Sequence, residues 1–369
     1  MKNLIPLILI IYCQIVAYGQ YNYGLDICGQ DAKIEGKLNL DSGDQSVFIG
    51  NDSGVNNTGT DNSFLGYWAG TSNSSGVFNS FFGSLSGASN NTGSDNSFFG
   101  SFSGILNTTG EFNSFFGSSS GYSNTTGFRN SFFGTGSGYS NTTGFRNSFF
   151  GFGSGYSNTT GGLNTFGGNN AGRLNSTGSF NSFIGVSAGE YNTFGSFNSF
   201  FGQETGQDNE GYSNSFFGSS AGQFNSTGSS NIFLGVESGR FNSTGSSNIF
   251  LGISTGLHNR MGSRNIVIGN GAGPTQANPN QNSRLYIDME PILGVPTGND
   301  NPLIYGEFDN DLIRINGTLH ITETAKLEPR ASPPSTCTSA VEYGFIYYDN
   351  SGTQHVLKVC TNTGWKNMN

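Results

Sequence analysis

From residue 46 to residue 269 the chain repeats one short apolar phrase inside polar surroundings. Asn79-Ser80-Phe81-Phe82-Gly83 returns as Asn96-Ser97-Phe98-Phe99-Gly100, as Asn113-Ser114-Phe115-Phe116-Gly117 and as Asn130-Ser131-Phe132-Phe133-Gly134. The closing glycines fall at 50, 66, 83, 100, 117, 134, 151, 168, 185, 202, 218, 235, 252 and 269, which makes 14 copies spaced 17 residues apart except for two steps of 16. The consensus is N-S-F-F-G-x-x-S-G-x-x-N-T-T-G-x-x. Three glycines in so short a unit disfavour a helix. The unit is also too short for a pair of helices, which needs more than about 30 residues. The pattern predicts an all-β fold, a parallel β-roll or β-solenoid with one coil per repeat. Coils stacked about 4.8 Å apart make a rod of roughly 60–65 Å.

Within a strand, neighbouring side chains point to opposite faces. One phenylalanine of each pair therefore fills the coil and the other points out. The pairs Phe81 and Phe82, Phe98 and Phe99, Phe115 and Phe116, and Phe132 and Phe133 are the clearest cases. Thirty-one of the 33 phenylalanines lie between residues 48 and 250, so the aromatic excess belongs to the rod. A single chain would expose an apolar ladder along its length, which soluble proteins rarely do. Covering one such side chain is worth roughly 1.5–3 kcal/mol. An oligomer with its outward ladders at a shared axis is expected, closed rotational symmetry being the default.

The triplets that begin at Asn107, Asn124, Asn141 and Asn158 match glycosylation sequons. They recur with the repeat, and stacked side-chain amides hydrogen-bond from coil to coil. The expectation is a structural ladder, with the following glycine ending the turn.

The ends differ from the middle. Residues 1–19 read as a signal peptide: Lys2 begins it, an apolar stretch runs from Leu4 to Tyr12, and Ala17-Tyr18-Gly19 offers a cleavage site. Within residues 20–45 the run from Ala32 to Leu40 alternates like a strand, the segment is expected to cap the first coil, and 46–273 form the repeat domain. Residues 274–283 read as a linker and 284–325 as a β-rich connector, with runs at 284–288, 303–308 and 312–321. A proline-containing linker at 326–340 leads to a C-terminal β-hairpin module at 341–369. In an oxidising compartment Cys337 and Cys360 are disulfide candidates within that module, and Cys28 is left over.

Composition narrows the function. The chain of 369 residues has 58 glycines, 33 phenylalanines, 11% charged residues and a net charge of −9. Few charges with many aromatics do not describe a disordered chain. No Gly-X-Y period marks collagen, and no basic patch marks a nucleic-acid partner. No segment after the signal is apolar enough to span a bilayer as a helix.

Chemistry is sparse. Between residues 46 and 269 lie 15 charges, 6 basic and 9 acidic, too scattered to repeat a catalytic pair. His258, His320 and His355 have no ligand spacing around them. Ser86 sits in Gly-x-x-Ser-Gly, which recurs in nearly every coil and is no nucleophile elbow. Asp300, Asp309 and Asp311 do not make an EF-hand loop. No catalytic residue, cofactor or metal is expected.

The N-[ST]-x-x-G units over about residues 46–273 resemble the head repeats of YadA-like trimeric autotransporter adhesins, most of all the N-T-A-I-G-Y-x-A-L arrays of secreted Bacteroidetes-type proteins. The resemblance implies a left-handed β-roll, a homotrimer and a bacterial adhesin. Phe-Phe departs from the usual small-plus-aliphatic pair, and the membrane-anchoring β-barrel of true autotransporters has no counterpart here. The expected function is a secreted or cell-surface structural fibre. It would bind surfaces, glycans or matrix through a rigid rod and have itself as its first partner. Alternatives are an ice-binding or other surface-binding solenoid and, third, a tail-fibre-like polysaccharide depolymerase.

Overall fold

The computed structural model describes residues 45–289, 301–320, 322, 329–330, 346–349, 356–361 and 364–367. The signal peptide, nearly all of the 20–45 segment, the 326–340 linker apart from 329–330, and Cys28, Cys337, Asp300 and His355 lie outside the described residues.

Fourteen strands of three residues each run from Val47–Ile49 to Ile266–Ile268. Each pairs in parallel with the next at unshifted register, so that Phe81 faces Phe98 and Phe82 faces Phe99. This is a parallel β-solenoid with one coil per repeat, and no helix occurs among the described residues.

The alternation sorts the strand side chains as expected. Phe64, Phe81, Phe98 and their successors to Phe250 are fully buried, with Phe48 packed against the end of the column. Phe81, Phe98, Phe115 and Phe132 stack at 4.9, 4.7 and 4.8 Å between ring centroids, with planes within 10° of parallel. Such spacing follows from the distance between strands, which is also close to aromatic contact distance.

A ring this large leaves no room for a side chain opposite it. Gly87 has φ +59°, and a Cβ placed there would come within 2.5 Å of the Phe81 ring. Gly83 has φ +140°, and a Cβ there would meet the carbonyl oxygen of Gly100 in the next coil at 2.5 Å. Both positions require glycine on conformation and on space together.

The coil interior is as polar as it is aromatic. Asn124 Nδ2 donates to Asn107 Oδ1 at 2.7 Å and to the Gly127 carbonyl at 3.0 Å. Asn141 and Asn158 repeat this in their own coils, and Asn107 donates in turn to Asn90. A second column holds the first asparagine of each strand phrase. Asn113 Nδ2 donates to the Gly127 carbonyl, and its Oδ1 accepts the backbone N–H of Asn130. A third column is serine: Ser103 Oγ donates to the Phe115 carbonyl at 3.2 Å. These groups are fully buried, and each is satisfied, as an interior of this polarity requires.

The end of the rod departs from expectation. Residues 274–283 do not act as a linker but wind one further coil. Asn265 Nδ2 donates to the Gln281 carbonyl, the backbone N–H of Arg284 donates to Asn265 Oδ1, and Arg284–Ile287 pairs in parallel with Ile266–Ile268. Tyr286 takes the place of the inner phenylalanine, and its hydroxyl donates to Gln281 Oε1 at 2.8 Å. The strand Ile304–Glu307 then reverses direction against it, and Leu312–Ile315 follows. The sheet thus ends in an antiparallel meander. The last strand stops at Ile315, short of the expected 321, because Asn316-Gly317 bends the chain. Separately, Ile346–Asp349 and Val356–Thr361 form the expected hairpin, extended by Gly364–Asn367 and by a parallel pairing with Pro329–Arg330.

Candidate functional site

The outward face of the strand column is the most extensive candidate surface. Phe82, Phe99, Phe116 and Phe133 stack at 4.7 Å, and Phe150 follows at 5.2 Å. Leu65 precedes them, and Ile184, Phe201, Phe217, Leu234 and Leu251 continue the column. Every coil supplies an apolar side chain there except at Gly167, where the Ile184 methyl group lies 3.1 Å from a hypothetical Cβ. Phe82, Phe99 and Phe116 are half-buried, and exposure reaches 48% at Ile49, 47% at Phe150 and 46% at Leu234. Towards the C-terminal end the face widens. Ile232 and Ile249 replace the strand serine, and Val236 and Ile253 add a third apolar column, all more than 40% exposed.

A polar stripe lies on another side of the coils around residues 190–254. Gln207 Nε2 donates to Glu190, Gln223 Nε2 to Glu204 and Gln207, and Arg240 Nε to Gln223. Arg240 also pairs with Glu237 at 2.7 Å. Burial, with the Glu190 carboxylate as a lesser cause, holds the Asp208 carboxyl above the usual carboxylate range. In sign, a raised carboxyl favours the fold most below its unfolded value, and that contribution fades as pH rises through the folded value.

The structure brings the sequence-predicted residues into three sets. Phe81, Phe98, Phe115 and Phe132 lie inside, while Phe82, Phe99, Phe116 and Phe133 lie outside. Asn107, Asn124, Asn141 and Asn158 form a buried ladder, so a glycosylating enzyme has no access to them in the folded rod. Cys360 is buried and disulfide-bonded; its candidate partner Cys337 lies outside the described residues.

Sequence reasoning missed the second asparagine column and the serine column, although Asn and Ser recur as regularly as Phe. It also missed the left-handed backbone before each strand phrase. Asp95, Phe112, Arg129 and Arg146 have φ between 53° and 57°, without glycine. No pattern signals that conformation, because the residue type varies from coil to coil.

Other candidates separate. Asp309 accepts from Arg284 at 2.6 Å. His320 is exposed and outside any strand, contrary to the expected strand at 312–321, and His258 is half-buried in the last regular coil. Among the described residues no group of three or more His, Cys, Asp or Glu side chains converges on a metal position. No helix among them is long and apolar enough to cross a membrane. No protein-family model, curated protein or solved structure matches the chain.

Proposed function

We propose that the protein is a structural fibre of the secreted or cell-surface type. Its rods associate side by side through the outward apolar column, and it attaches to surfaces in the manner of an adhesin. The observation that carries this reading is the run of that column from Ile49 to Leu251, broken at Gly167 alone, on a regular solenoid. Covering the exposed half of one such side chain is worth about 1 kcal/mol. About a dozen coils then supply on the order of 12 kcal/mol, comparable to the 4–15 kcal/mol that association costs. A homotrimer about a shared axis would satisfy three columns at once. The N-terminal export segment and the likeness to YadA-like head repeats support an extracellular location and a bacterial adhesin. Sedimentation velocity with mass determination tests the reading. An elongated oligomer is expected, and a stable monomer at micromolar concentration overturns it.

A second reading rests on one observation. Thr92, Thr109, Thr126, Thr143, Thr160 and Thr177 form an exposed column through six successive coils, the kind of regular hydroxyl array that a surface-binding or ice-binding solenoid presents. The neighbouring threonines do not double it, because Thr108, Thr125 and Thr142 donate their hydroxyls to the backbone of the next coil. Thermal hysteresis of the purified rod tests it, and freezing behaviour no different from buffer removes it.

A further inference from the structure

One column of the solenoid is interrupted, and the interruption makes a groove. Two residues after each closing glycine the backbone is left-handed, and most coils place a side chain there, including Leu85, Phe102, Ser119 and Asn170. In two successive coils the position is glycine instead, at Gly136 and Gly153. The missing side chains leave a cavity of about 330 Å³ over coils near the middle of the rod. That falls at the lower end of the ~300–1,000 Å³ typical of small-molecule sites.

The walls of this groove are chemically mixed. Tyr139 and Tyr156 line it, stacked at 4.8 Å in a ring column that begins at Tyr122 outside the groove and ends at Tyr156. Phe152, also in the lining, is 60% exposed. Arg173 is the one charged residue in the lining, and it follows Tyr156 in the column of the next coil. Among the described residues no carboxylate lies within ion-pair distance of Arg173. Glu190, one coil further on, is engaged by Gln207. Thr135 and Asn170 add a hydroxyl and an amide at the rim.

We propose that this groove binds an acidic glycan, a short run of uronic acid residues. Sugar rings present C–H faces to aromatic surfaces and hydroxyls to polar rims, which is the mixture found here. A uronate carboxylate matches the planar fork of the free Arg173 guanidinium. In a chain of net charge −9 this local cation selects for the acidic sugar by position and not by overall attraction. The inference deepens the surface-binding part of the proposed function and rests on it.

The fold supplies its own test variant. Leu85 occupies the position of Gly136 with φ 60°, so Gly136→Leu fills the groove with a side chain that the backbone already tolerates elsewhere. Calorimetric titration of the full chain with galacturonate tetramer, and with the neutral galactose tetramer, reads the site. Saturable binding of the acidic tetramer is expected, at least tenfold weaker in Gly136→Leu and in Arg173→Gln, with the neutral tetramer also at least tenfold weaker. Melting curves of both variants should match the parent. Absence of binding, binding unchanged in both variants, or equal affinity for the neutral tetramer overturns the proposal. Sedimentation of the same samples separates the two readings, since an assembled rod that ignores galacturonate sinks the groove and leaves the fibre standing.

Discussion

Adjacent phenylalanines of one strand have different fates, and the difference is measurable. Phe98 is fully buried between Phe81 and Phe115, whereas Phe99 is partly exposed and stacked between Phe82 and Phe116. Phe98→Asp puts a carboxylate into an aromatic column and should lose at least about 4 kcal/mol, read as loss of the cooperative melt. Phe99→Asp should keep the circular dichroism of the rod and lower its sedimentation coefficient by weakening assembly. If both variants sediment like the parent, the outward column has no role in association. Asn124→Ala is the corresponding probe of the ladder. It removes bonds to Asn107 and Gly127 and leaves Asn107 Oδ1 without its donor and one N–H of Asn141 without its acceptor, while Asn141 keeps its bond to the Gly144 carbonyl. Each buried group left unpaired costs about 1–3 kcal/mol, so a loss of about 3 kcal/mol in denaturant unfolding is expected.

The coil is the element on which stability and register depend. Each coil contacts its two neighbours, so stability is close to a sum over coils and their interfaces. The copies at 130–146 and 147–163 have nearly interchangeable beginnings, Asn-Ser-Phe-Phe-Gly in both. Excising residues 130–146 joins Arg129 to Asn147 and restores every column. The product should fold, melt slightly below the parent and be shorter by about 4.8 Å, which small-angle scattering can measure. Removing only residues 130–138 shifts phenylalanines onto glycine and asparagine positions, and an unfolded or aggregated product is expected. The fold tolerates a change of coil size only where a corner absorbs it. The step of 16 before Gly218 is such a place: Asn209 still bonds to Gly211 and Asn192 although one residue is missing. The same logic explains the last coil, where 274–283 looked like a linker because its prolines and asparagines break the period. Only the pairing of Arg284–Ile287 with Ile266–Ile268 shows that the chain had gone round once more.

For the molecule as a whole, interior and outer face lead to different expectations under salt. The outward column carries no charge from Ile49 to Leu251, so assembly through it should be unchanged or strengthened in 1 M sodium chloride, where ionic interfaces are screened. Sedimentation at low and high salt checks this, and dissociation on adding salt argues for a charged interface instead. Much of this rod was legible in one dimension. The period of 17, the glycines and the Phe-Phe alternation sufficed for the solenoid, the inside and outside phenylalanines and the asparagine ladder, because in a repeat every contact is with the next copy. Covalent spacing therefore specifies spatial neighbours. What the tertiary structure alone decided lies where columns are compared across coils. The left-handed residues before each strand, the wrapped coil at 274–287 and the groove over Gly136 and Gly153 belong to this class. A missing side chain is an ordinary glycine in a chain that has 58 of them. It becomes a cavity only when stacking sets it between Tyr139, Tyr156 and Arg173.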